Sequence, residues 1–97
     1  MDSTADITAR IYLLTPEDGG RHVGIEAGYR PSFYIGCKQT DGAIYPVGRE
    51  RVEPGEECEV RIKLLHPQYL GDSLKPCALI RLQEGRKVVG FGTVSPT

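Results

Sequence analysis

Residues 58–64 read Cys58-Glu59-Val60-Arg61-Ile62-Lys63-Leu64. Val60, Ile62 and Leu64 alternate with Glu59, Arg61 and Lys63. That period of two puts the apolar side chains on one face of an extended strand and the charges on the other. The outward charges can pair across neighbouring strands, at roughly 0.2–1 kcal/mol each. His66-Pro67 ends the strand, because proline has no N–H to give to a ladder.

The same alternation appears upstream. Ile7, Ala9, Ile11 and Leu13 face one way, and Thr8, Arg10 and Tyr12 the other, over residues 7–14. Thr15-Pro16-Glu17-Asp18-Gly19-Gly20 is a turn cluster. Phe33 to Lys38 forms a second strand, anchored by the apolar bulk of Tyr29 and Phe33. Asp41-Gly42 is a hairpin signal, from which Ala43 to Tyr45 is expected to pair back. Pro46, Gly48, Pro54 and Gly55 punctuate the next stretch. Downstream, Ala78 to Leu82 and Lys87 to Val94 read as a closing hairpin across Gln83-Glu84-Gly85-Arg86. Gly90 and Gly92 inside its second arm signal a tight barrel bend or close backbone packing. No stretch has sustained helical periodicity. Short strands separated by frequent turns make the chain all-β, a closed barrel or a sandwich, and closure removes the unpaired edges that invite aggregation.

Ninety-seven residues make one domain spanning 1–97, with residues 1–6 expected to be flexible. A chain of this size buries roughly 60–65% of its unfolded surface. Its apolar share of 39% fits a globular protein rather than a disordered one. Twelve basic and thirteen acidic residues leave a net charge of −1, so no overall positive field attracts nucleic acid. Cys37, Cys58 and Cys77 are an odd number with no Cys-x-x-Cys spacing. They read as three small, partly buried apolar residues in a reducing compartment, not as a disulfide framework or a zinc site. The N-terminus has no basic-then-apolar signal pattern, and no apolar run approaches the ~20 residues of a membrane span. The expectation is a cytoplasmic protein with no membrane partner. Met1 at the start favours an intact gene product.

The search for chemistry returns little. There is no P-loop and nothing else that cradles a phosphate, so no nucleotide and no other cofactor is expected. His22 and His66 lie in different loops, and no nucleophile–base or metal constellation is visible, so no catalytic residue is assigned and no enzyme is expected. Glu50, Glu53, Glu56, Glu57 and Glu59 surround Pro54-Gly55 and read as a solvated loop that repels phosphate. The basic residues Arg21, His22 and Arg30 stand near Tyr29 and Tyr34, with Arg86-Lys87 in the last hairpin. Such interleaving suits backbone phosphates and stacking on bases. The alternative is that Arg30 and the aromatics tie the barrel together internally.

Read in order, a set of short motifs runs nearly the length of the chain. They are Gly19-Gly20-Arg21-His22, then Gly28-Tyr29-Arg30-Pro31-Ser32-Phe33-Tyr34, Glu53-Pro54-Gly55-Glu56 and Leu65-His66-Pro67. Ile80-Arg81, Glu84-Gly85 and Val89-Gly90-Phe91-Gly92 follow. Together, from about Ile7 to Val94, they resemble the C-terminal β-barrel domain of translation elongation factor Tu. The resemblance implies a six-stranded antiparallel Greek-key barrel without a GTPase domain in these residues. In that family the domain packs on a second barrel and on the GTPase domain, and contacts the T-stem of aminoacyl-tRNA. It implies a partner- or RNA-binding face made by Gly20, Arg21, His22, Arg30, Ser32, Asp41, Arg81 and Glu84. Two positions depart from the family pattern: Ser32 replaces a tRNA-facing glutamine and Asp41 a threonine. A carboxylate in an RNA groove is repulsive unless it accepts from a 2′-hydroxyl. The chain is therefore expected to be a non-catalytic binding module for a protein partner, a translation factor or a GTPase domain. The alternative is a stand-alone binder of tRNA or structured RNA.

Overall fold

The computed structural model describes residues 4–36 and 38–95, and of Thr4, Ala5 and Asp72 the backbone alone. The strands are β1 (Thr4–Leu13), β2 (Ile25–Glu26), β3 (Ser32–Ile35), β4 (Lys38–Pro46), β5 (Arg51–Val52), β6 (Glu57–Leu65), β7 (Leu79–Glu84) and β8 (Lys87–Val94). Six of them close a barrel in the order β1-β6-β4-β3-β7-β8, with β8 returning to β1, and every neighbouring pair is antiparallel. Strands β3, β4 and β6 follow one another around the wall, and β1 lies beside the last of them. This is a Greek-key order. The two-residue strands β2 and β5 pair separately.

Alternation places the core as expected. On β6, Cys58, Val60, Ile62 and Leu64 are buried while Glu59, Arg61 and Lys63 are exposed. On β1, Ala9, Ile11 and Leu13 are buried, and Ile7 packs against the same cluster. The strand begins at Thr4, ahead of the start at Ile7 marked by the alternation, and Thr4 already pairs with Leu65. Phe33, Ile35, Ile44, Ile80 and Leu82 fill the barrel from the other strands, and Ile25 and Val52 bring β2 and β5 into it. Burying a side chain of this kind stabilises by about 1.5–3 kcal/mol.

The hairpin expected at Asp41-Gly42 is not there. Both residues lie inside β4, and β3 and β4 pair from Ile35 and Lys38 onward instead. Strand β4 pairs with β3 through Lys38–Asp41 and with β6 through Gly42–Pro46. A Cβ at Gly42 would run into the Lys63 carbonyl of β6. The glycine is required by close strand approach, which gives Asp-Gly the look of a turn.

The last two strands meet across a two-residue turn, Gly85-Arg86, shorter than the four residues expected, because β7 runs on to Glu84. A bulge between Leu82 and Gln83 shifts the register just before it. Gly90 and Gly92 lie opposite Leu13 and Ile11 on β1, and opposite Leu82 and Ile80 on β7. They therefore take inward positions in β8. A Cβ at Gly92 would lie 2.5 Å from the Arg10 carbonyl oxygen, and one at Gly90 2.7 Å from that of Tyr12. Close packing across the closing seam is the reason for both. Of the described cysteines, Cys58 is buried and Cys77 is exposed, so the partly buried reading fails for Cys77; Cys37 lies outside the described residues. Cys77 is lifted to the surface on a left-handed backbone, φ 66°.

Candidate partner-binding face

The carboxylate-rich segment is not a loop throughout: Glu57 and Glu59 belong to β6. Arginines face its acids. Arg10 reaches Glu57 at 2.6 Å, Arg51 reaches Glu26 at 2.6 Å and Glu53 at 2.8 Å, and Arg49 pairs with Glu56. Glu26 and Arg51 are direct cross-strand partners on β2 and β5. These pairs are exposed and each adds little to stability; three arginines offset part of the charge of four glutamates, and the segment stays acidic.

The candidate residues separate into two groups. In the first, Arg21 forms an ion pair with Glu84 and lies over the Tyr29 ring at 4.9 Å. The Tyr29 hydroxyl donates to the same Glu84 oxygen at 2.5 Å, and Arg21 Nε donates to the Val23 carbonyl at 3.1 Å. Tyr29 is held from behind by its backbone, which bridges to Ile44 on β4. Burial pushes the Glu84 carboxyl up, but the bonds from Tyr29 and Arg21 and the Arg21 charge outweigh it, leaving the group below its ordinary range. Burial first, and then the bond to Glu84, hold the Tyr29 phenol protonated well above its usual pKa. The internal tie expected of Arg30 is not made by it, since Arg30 is exposed; Arg21 makes such a tie instead, with Glu84 and Tyr29. Gly20 is buried, with Leu14 occupying the space a Cβ would need, while His22 is exposed.

The second group lies on the outer wall. Ser32 on β3 is opposite Asp41 on β4 and opposite Gln83 on β7. One step along the same outward face of β3, Tyr34 is opposite Gln39 and Arg81. The Arg81 guanidinium stacks on the Tyr34 ring at 4.6 Å. Ser32, Asp41 and Arg81 therefore share one surface, continuous through Gln83 with the Glu84 cluster. Sequence reasoning noted Tyr34 beside the basic residues without assigning it to the site, and missed Gln83, Leu79 and Phe91 as members of this wall. The parity of β3 and β7 could have found Tyr34 and Leu79, since Phe33, Ile35, Ile80 and Leu82 claim the inward seats.

Among the described residues, no group of three or more His, Cys, Asp or Glu side chains could hold a metal ion, and no helix is long and apolar enough to cross a membrane. The fold is an all-β, closed six-stranded antiparallel barrel with charges of both signs on its outer wall. The family whose model matches, over residues 1–97, is the elongation factor Tu C-terminal domain. The chain belongs to that family.

Proposed function

We propose that this chain is a non-catalytic binding module whose outer wall over β3, β4 and β7, with His22 and Arg30 near its margin, takes a protein partner linked to translation. Membership of the family supports the translation-related part of this reading. The observation that favours a protein over RNA is the Arg21–Glu84–Tyr29 tie. It neutralises the central cation of the basic loop, and the adjoining wall carries Asp41 and Ser32 beside Arg81. A surface of both signs suits a protein interface, whereas a phosphate backbone selects for uncompensated cations.

Affinity capture with the tagged chain, read out by mass spectrometry, tests this. Recovery of a translation factor by the wild type, and its loss with the exposed pair His22→Ala plus Asp41→Lys, is the expected result. No translation component, or equal recovery by both proteins, overturns it. Binding of purified tRNA that weakens steeply with salt through Arg30, Arg86 and Lys87 would replace it with the RNA reading.

A further inference from the structure

Outward strand positions on a solvated sheet face are normally polar. On β7 and β8 two are not: Leu79 is 75% exposed and Phe91 47%. Scattered apolar residues on a surface are ordinary, but these two border a single groove of about 730 Å³ at the end of the wall where β3 stops short. Tyr34, Lys38, Lys75 and Arg81 line the same groove. Its described lining holds three cations and no carboxylate. Their positions are set by the fold. Arg81 stands between Tyr34 and Phe91 in the cross-strand register and leans on the Tyr34 ring. Lys38 donates from Nζ to the Tyr69 carbonyl at 2.9 Å and sits over the Tyr69 ring.

We propose that this groove binds an acidic peptide segment carrying a large apolar side chain. The apolar side chain packs on Leu79 and Phe91, and the flanking carboxylates meet Lys38, Lys75 and Arg81. The inference rests on the reading that the chain is a binding module, and it gives the chemical class of the segment that is bound. Charge complementarity decides the sign of the ligand, and the lining decides its type. Leu79, the most exposed apolar side chain of the lining, gives a nucleobase nothing to stack on, and the Tyr34 face carries the Arg81 guanidinium, so Phe91 is left as a single ring where successive bases would need several. The net charge of −1 supplies no long-range attraction to a polyphosphate. A short acidic peptide needs only the local cations.

A fluorescein-labelled peptide of Asp and Glu residues flanking one Leu and one Phe, titrated into the full chain and followed by anisotropy, tests the proposal. Saturable binding that weakens with salt is expected, with a loss of about tenfold for Leu79→Ser and for Arg81→Glu. Replacing the acids of the peptide by Asn and Gln, or its Leu and Phe by Ser, should abolish binding. Those peptide changes remain decisive if a protein variant does not fold. Absence of saturable binding overturns the proposal, as does binding indifferent to both protein substitutions or tighter, competing binding of an oligouridylate. The capture experiment above uses His22 and Asp41, outside this groove's lining, so failure of either reading is seen separately.

Discussion

Arg21 and Glu84 are 63 residues apart in the chain and form one ion pair against the Tyr29 ring. The pair is partly shielded, with 22% and 34% of the two side chains exposed, so it stabilises more than the surface pairs do. Arg21→Ala leaves Glu84 with one donor fewer and should cost about 1–2 kcal/mol in urea unfolding. Combined with Glu84→Gln it should cost less than the sum of the single changes, because both remove the same contact. The tie also sets a pH dependence. The Glu84 carboxyl is depressed in the folded state. Its contribution is therefore present above the ordinary carboxylate pKa of about 4 and is lost as pH falls through the lower folded value. The wild-type urea midpoint should fall on acidification across that window, and Glu84→Gln should flatten the decline. An unchanged acid limb in the variant would show that other carboxylates carry it. At this scale the sequence displayed the residue types but not the pairing. Local spacing makes Arg21 look like a free cation on a hinged loop, and only closure of the barrel brings Glu84 to it.

Strand β8 shows what an element can and cannot reveal in sequence. Its glycines announce close packing, but which way Phe91 points depends on the neighbours. Gly90 and Gly92 occupy the inward seats because Leu13, Ile11, Leu82 and Ile80 already fill the space around them, so Phe91 between them must face out. Gly92→Ala should cost about 2–3 kcal/mol in guanidinium unfolding, since its Cβ would lie 2.9 Å from Ile11 Cγ2 as well as against backbone. Gly85→Ala is the comparison: φ is 61° there but the space is open, so only backbone strain of about 1 kcal/mol is expected. Equal costs would mean that the seam is looser than its geometry implies. Strand β4 carries the opposite lesson. Asp41-Gly42 has the composition of a hairpin, yet a glycine needed for close approach to β6 is the same letter as one needed for a turn.

The whole molecule is closed by its first and last strands, β1 and β8. No local hairpin buries the core on its own, and the loop-closure entropy of joining the two ends precedes most of the gain. Refolding followed by stopped-flow fluorescence of the tyrosines should therefore take milliseconds to seconds, with unfolding as one cooperative transition. Refolding in microseconds would contradict this view of the barrel. By itself, the sequence determined the all-β class, the inward faces of β1 and β6, the end of β6 at His66-Pro67 and, through its motifs, the barrel family. These follow from a period of two and from residues with special backbones, which are local properties. The tertiary structure alone decided that Arg21 is tied down, that β4 runs straight through Asp41-Gly42, and that Leu79, Arg81 and Phe91 share a groove. Each of these depends on cross-strand register, which is set by how the closed wall shares out its interior volume.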